Sequence, residues 1–236
     1  MTIADQTIQA REGEELDAAV IARYLKAHLA HLTGEPKIRQ FPGGASNLTY
    51  LLSYPEQDLV LRRPPLGKKA KSAHDMGREF LILNRLNDGF PYCPKAYVHC
   101  TDPSVIGDEF YVMQRVEGTI LRSDIPAELN LTADKTKALC ESFIDTMVQL
   151  HQVDYAACGL AELGKPEGYV ERQISGWSDR YEKALTPDAP LWTEVKAWLK
   201  EKMPADHPQP GIIHNDYRFD NVILDPDNPM QIIGVL

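Results

Sequence analysis

The chain has 236 residues, enough to bury a sizeable core as one domain or as two small lobes. Hydrophobic residues make up 43% and charged residues 25%, an ordinary globular composition with no apolar run near the ~20 residues of a membrane span. A net charge of −9, from 34 Asp and Glu against 25 Lys and Arg, argues against a nucleic-acid binder, because neutralising phosphates needs a basic surface.

The N-terminus is polar and acidic with no signal-peptide core, which places the protein in the cytoplasm. From Glu14 to Leu32 the residues Leu16, Val20, Tyr24, Leu25 and Leu29 share a helical face, and Gly34 and Pro36 end that helix. Lys37 to Phe41, Asn47 to Tyr54 and Leu59 to Arg63 read as strands, the last two joined by the turn Pro55-Glu56-Gln57-Asp58. The loop Pro42-Gly43-Gly44-Ala45-Ser46 has small residues whose backbone N–H groups can approach an anion, with Ser46 and Asn47 adding hydrogen bonds. Taken alone, an ordinary glycine-rich hairpin turn accounts for it better. The basic stretch from Arg62 to Arg78 suits an anionic ligand, while a solvated loop explains Lys68, Lys69 and Lys71.

A helix opens at Ser72 or His74 and runs to about Asp88, with Met76, Phe80, Leu83 and Leu86 on one face. Glu79 falls inside that apolar stripe, where a carboxylate is expensive without a partner. Arg62, on the preceding strand, is the natural partner; the alternative is a rotated helix with Glu79 solvated. Lys95 to Cys100 and Glu109 to Val116 form a second strand pair, after which charged residues and Gly118 mark a hinge between lobes. Thr132 caps a helix through Val153 that buries Leu139, Phe143, Met147 and Leu150, and His151 at its end reads as a structural, hydrogen-bonded histidine. Two further helices, Glu167 to Leu185 and Leu191 to Met203, carry Trp177, Trp192 and Trp198, read as packing aromatics. The four cysteines have neither C-x-x-C nor zinc spacing and are expected to be reduced.

Between Gly211–Ile213 and Val222–Leu224, read as two short apolar strands, lies the polar loop His214-Asn215-Asp216-Tyr217-Arg218-Phe219-Asp220-Asn221. So many polar groups in eight residues are costly unless they bind something. The pattern His-x-Asp-x-x-x-x-Asn is similar to the catalytic loop of kinase-like phosphotransferases, in which the Asp reaches an acceptor hydroxyl and the Asn, five residues on, a metal ion on the phosphates. Three fixed positions recur by chance in roughly one chain in a hundred of this length, so the upstream parts must carry the rest.

Those parts are Phe41-Pro42-Gly43-Gly44-Ala45-Ser46-Asn47, Val60-Leu61-Arg62-Arg63-Pro64-Pro65, Arg78-Glu79, Tyr111-Val112-Met113, Leu150-His151 and Arg172-Gln173 with Trp177. In this order, with the His214 loop, the chain resembles the aminoglycoside phosphotransferase and choline kinase family, and most closely the kinase-like domain fused to some acyl-CoA dehydrogenases. The resemblance implies an α+β, protein-kinase-like two-lobed fold. Residues 1–116 would be a β-rich nucleotide-binding lobe with an N-terminal helix, and residues 117–236 a partial helical lobe with the catalytic loop. It implies an ATP-dependent transfer of the γ-phosphoryl group to a hydroxyl of an aminoglycoside-, choline- or hydroxyacyl-type small molecule, with Mg2+ as cofactor. It makes Asp216 the catalytic carboxylate and Asn221 a metal ligand. Gly43, Gly44, Ser46 and Asn47 would cover the phosphates, Arg62 would contact them while held by Glu79, and Met113, Gln114 and Val116 would surround the adenine.

Two departures are mild: Arg62 stands where most of the family has Lys, and the phosphate loop is not G-x-G-x-x-G. The third is larger. In the family an Asp that binds the principal metal ion follows the strand here ending Ile233-Gly234-Val235-Leu236. This implies a truncated form of a longer kinase, and leaves a nucleotide-binding pseudokinase or an inactive fragment as the alternative function.

Overall fold

The computed structural model describes residues 7–42, 47–67, 75–122 and 125–236. Helix α1 spans Ala18–His28, and the strands β1 (Lys37–Gln40), β2 (Leu48–Ser53) and β3 (Asp58–Arg63) follow. Then come α2 (Met76–Leu86), β4 (Ala96–Cys100) and β5 (Phe110–Gln114). The second half holds α3 (Ala133–His151), α4 (Tyr169–Lys183), α5 (Thr193–Glu201), β6 (Val222–Leu224) and β7 (Ile232–Val235). A β-rich first half and a mainly helical second half give the expected α+β arrangement. No helix among the described residues is long and apolar enough to cross a membrane.

Five antiparallel strands form one sheet in the order β1-β2-β3-β5-β4, and β6-β7 form a separate hairpin. Alternation along β3 assigns its two faces. Leu59 and Leu61 join Ile21 and Leu25 of α1, Tyr50, Leu52, Phe110 and Val112 in one core. Val60 points the other way, into a small cluster with Met76 of α2, Tyr111 and Met113. Arg62 shares that second face by the same alternation, which brings it under α2. A third core joins Leu139 and Leu150 of α3 to Val222, Leu224, Ile232 and Val235 of the hairpin. Leu86, Phe90 and Cys93, at the end of α2 and just beyond it, belong to that same core, and Val235 N–H donates to Tyr92 O (2.9 Å).

Several expected boundaries shift, for identifiable reasons. Helix α1 begins at Ala18 rather than Glu14 because the Asp17 carboxylate accepts from the N–H groups of Ala19 and Val20. It ends at His28 rather than Leu32, and Ile21, rather than Val20, is its fully buried residue beside Leu25. Asp75 caps α2 by accepting from Arg78 N–H; the expected starts at Ser72 or His74 lie outside the described residues. Strand β5 stops at Gln114 rather than Val116, because Arg115 turns aside to pair with Asp58. Gly211–Ile213, read as a strand, is irregular: Gly211 lies so close to the end of α3 that a Cβ there would sit 2.5 Å from His151 O.

The tryptophans are corrected too. Trp177, Trp192 and Trp198 are 62%, 55% and 58% exposed, so they are not core packing. Helices α4 and α5 contact each other through Tyr181, Glu182 and Lys196 and bury no residue, and Trp177 lies beneath the Arg180 guanidinium of its own helix. His151 is exposed and its ring makes no hydrogen bond among the described residues, so the expected structural hydrogen bond is absent there.

Candidate active site

The upper part of the site is built on one carboxylate. Glu79 stands in the first turn of α2 and receives groups from three other parts of the chain. Arg62 Nε of β3 lies 3.3 Å from its Oε2, the Tyr111 hydroxyl of β5 donates to the same oxygen (3.0 Å), and Asn47 Nδ2 donates to Oε1 (3.1 Å). The strand cation and helix glutamate expected from the sequence are therefore paired. Their contact is an ion pair and not a linear hydrogen bond, since Arg62 Nε has no hydrogen-bond acceptor in line. Both side chains are about a third exposed, 31% and 32%, so solvent still reaches them.

Sequence reasoning assigned no role to the Tyr111 side chain. It is buried, its ring packs among Val60, Met76 and Met113, and burial pushes its phenol well above the usual tyrosine range. The antiparallel register sets Arg62 opposite Tyr111, which predicts side chains on a common face, but that pairing spans 49 positions and no local pattern reveals it. Asn47 is only 4% exposed and faces Glu79, so its amide is engaged with the helix. Gly43, Gly44 and Ser46 lie outside the described residues.

At the far end of β5, Met113 is buried against Val60 and Met76. Gln114 N–H donates to Lys95 O (2.8 Å), which leaves its carbonyl as the backbone group it can offer a ligand. Arg115 closes on Asp58 at 2.5 Å, and the chain then passes Val116 to Gly118. At that point it meets the hairpin. Thr119 and Leu224 exchange two backbone hydrogen bonds of 3.0 and 2.8 Å, so the linker after β5 is bonded to the strand that leaves the polar loop.

The lower part is the loop from His214 to Asn221. Its aromatic residues anchor it: Tyr217 and Phe219 both stack on Phe143 of α3, and the Tyr217 hydroxyl donates to Phe143 O (2.8 Å). Burial pushes the Tyr217 phenol up to about 12. Asn215 adopts a left-handed conformation (φ 66), which Asn tolerates better than most residues. His214 ties the loop to the end of β7. Its Nδ1 accepts from Asp216 N–H (3.3 Å), so the proton sits on Nε2 and is donated to Leu236 O (2.8 Å).

Asp216 and Asn221, expected to reach an acceptor and a metal ion respectively, are bonded to each other. Asn221 Nδ2 donates both to Asp216 O (2.8 Å) and to Asp216 Oδ2 (2.9 Å). Asp216 stays open to solvent, with its side chain 63% exposed and Arg218 Nη1 3.9 Å from Oδ1. Arg218 bonds more closely to Asp220, at 2.5 Å.

Among the described residues no group of three or more His, Cys, Asp or Glu is placed to hold a metal ion. A Mg2+ on a nucleotide needs less, because it takes one or two protein oxygens and completes its shell with phosphates and water. The Asp216 carboxylate and the Asn221 amide oxygen fit that limited role, since the Asn221 amide nitrogen is turned to Asp216 and its oxygen is not. A cavity of about 630 Å3 lies elsewhere, between the end of α2 and the turn after α3. It is lined by Arg85, Asp88, Asp154 and Cys158 and includes none of the residues above.

The chain matches the model of the family described as "Phosphotransferase enzyme family" over residues 37–236. It is 35% identical to Acyl-CoA dehydrogenase family member 11 of Gallus gallus over 241 aligned positions, covering 100% of this chain and 30% of that protein. It thus spans about a third of the curated relative's length. Among solved structures it is similar to a "putative aminoglycoside phosphotransferase" from Ralstonia eutropha, at 29% identity and a TM-score of 0.80, over 94% of this chain and 64% of that one. The ternary complex of streptomycin, ATP and APH(2")-IIa shares the fold at 18% identity and a TM-score of 0.61, over 94% of this chain and 69% of that one.

Proposed function

From the premise that this chain belongs to the phosphotransferase enzyme family, matched over residues 37–236, we propose that it is the kinase part of an ATP-dependent small-molecule phosphotransferase. The γ-phosphoryl group passes to a hydroxyl of an aminoglycoside-, choline- or hydroxyacyl-type acceptor. The hydroxyacyl class comes first among these, because the curated relative carries the name of an acyl-CoA dehydrogenase. The observation that carries the reading is the Arg62–Glu79 ion pair, a strand cation held by a helix glutamate, where a rotated helix would have left Glu79 in solvent.

In this reading residues 1–116 hold the nucleotide and residues 117–236 supply the transfer chemistry, in the cytoplasm. Arg62 contacts the phosphates while Glu79 holds it in place, Gly43, Gly44 and Ser46 form the cover over them, and Asn47, expected in that cover too, serves instead through its bond to Glu79. Met113 packs behind the adenine, and the backbone at Gln114 and Val116 meets its edge. Asp216 orients the acceptor hydroxyl and takes its proton as the oxygen bonds to the γ-phosphorus and ADP departs. Asn221 helps hold Mg2+, which when bound neutralises charge on the phosphates. The resting arrangement keeps Asp216 exposed and fixed by Asn221, which suits a carboxylate that must accept a hydroxyl from solvent.

Titration calorimetry of the chain with ATP, with and without magnesium, tests the proposal. One nucleotide site, tightened by magnesium and weakened about tenfold or more by Arg62→Ala, is expected for a charge-assisted phosphate contact. Absence of ATP binding, or binding indifferent to Arg62→Ala, overturns it. Metal-independent binding without turnover marks a nucleotide-binding module instead.

A further inference from the structure

We infer that Tyr111 and Asn47 are positioning residues of the nucleotide site, acting together through the Glu79 carboxylate; the inference rests on the phosphotransferase reading above. Arg62 alone does not orient Glu79. Its Nε is 3.3 Å from Oε2 but out of line, so the ion pair is nearly indifferent to rotation of the carboxylate about its own axis. The two neutral donors remove that freedom. Tyr111 OH bonds to Oε2 at 3.0 Å and Asn47 Nδ2 to Oε1 at 3.1 Å, one directional bond on each oxygen. Both donors come from rigid surroundings, since Tyr111 is 1% and Asn47 4% exposed.

The placement of these donors gives the arrangement a reach beyond the pair. Asn47 directly follows the glycine-containing sequence 43–46 and precedes β2, while Tyr111 is the second residue of β5, two residues before Met113. One carboxylate therefore ties the residue that precedes β2, the strand cation of β3 and the strand β5 that leads to Met113. Phosphate recognition, and not adenine recognition, is what depends on the direction in which Glu79 holds the Arg62 guanidinium.

The test compares ATP with adenosine, which lacks the phosphates. Dissociation constants for both are measured by calorimetry on wild type, Tyr111→Phe, Asn47→Ala and Glu79→Ala, and on the Tyr111→Phe and Asn47→Ala changes placed in the Glu79→Ala background. Each single change is expected to weaken ATP by about fivefold to tenfold, the size of one lost hydrogen bond to a partly exposed charge, with adenosine unchanged within about twofold. In the Glu79→Ala background neither change should weaken ATP further. Equal losses for ATP and adenosine, or losses that simply add in that background, would reduce both residues to general structural roles and overturn the inference. Tyr111→Phe removes one atom, so it remains informative if Asn47→Ala does not fold, in which case Asn47→Ser replaces it. A wild type that binds adenosine but not ATP rejects the inference and the parent reading together, whereas normal ATP binding with unaffected variants rejects the inference alone.

Discussion

Gly118 sits where the linker after β5 crosses the β6–β7 hairpin, which follows the His214–Asn221 loop, and its replacement by alanine has a calculable cost. A Cβ at 118 would lie 2.3 Å from Leu224 O and 2.5 Å from Ile223 Cγ2, against a comfortable separation of about 3.5 Å. The nearer obstacle is backbone, so no side-chain rotation relieves it. The linker must retreat by about an ångström, which is enough to break both Thr119–Leu224 hydrogen bonds, now 3.0 and 2.8 Å. Thr119 is 3% exposed and Leu224 fully buried, so water does not readily replace the lost partners. Two such bonds, with their groups left poorly paired, are worth about 2–4 kcal/mol, a large share of the ~5–15 kcal/mol that holds a typical domain together. Urea denaturation followed by far-UV circular dichroism should show the midpoint falling by about 1 M, taking a slope of about 3 kcal/mol/M for a chain of this size. A midpoint within about 0.2 M of wild type would refute the argument that linker and hairpin are locked at this crossing.

Three further outcomes follow from individual residues. Asn215→Val should destabilise the chain by about 1–2 kcal/mol because a β-branched residue resists the left-handed backbone, while Asn215→Gly should be nearly neutral; equal urea midpoints for the two would contradict the φ of 66°. The phenols of Tyr50, Tyr54 and Tyr217 are pushed by burial from near 10 up to about 12. Folding keeps them protonated where the unfolded chain would ionise, so their contribution is full below about pH 10 and is lost as pH rises from there towards about 12; a urea midpoint unchanged through pH 11 would contradict it. Of the four free cysteines only Cys140 is exposed, Cys93 and Cys100 are buried, and burial pushes the Cys93 thiol up to about 12. Peptide mapping after iodoacetamide treatment of the folded chain near pH 8 should find Cys140 modified first and Cys93 unmodified until denaturant is added.

The sheet and the pairing of its charges were legible because each left a local mark. Turn residues bracket the β2–β3 hairpin, and Glu79 announced itself as a carboxylate inside an apolar stripe. The loop from His214 to Asn221 stood out by its polar composition and spacing, but the bond from Asn221 to Asp216 within it is not written in that spacing. What escaped depends on contacts between distant positions. The role of Tyr111 follows from its register against Arg62, and the close approach at Gly118 from a hairpin about a hundred residues later. The tryptophans misled for a related reason: an aromatic residue on an amphipathic helix signals packing, but α4 and α5 turn toward each other and leave the indoles outward. Helix starts moved because Asp17 and Asp75 cap more effectively than apolar periodicity can show.

The central claim, that the chain moves a phosphoryl group with Asp216 as its carboxylate, is tested most directly by acceptor-dependent ADP release from ATP and magnesium. The assay uses the longest natural form of the protein, a panel of aminoglycoside, choline-like and hydroxyacyl acceptors, and the Asp216→Asn variant beside wild type. Release that requires one class of acceptor and falls by about a hundredfold or more in Asp216→Asn, with ATP affinity unchanged, is the predicted result. Release that ignores every acceptor, or that survives undiminished in the variant, would contradict the account.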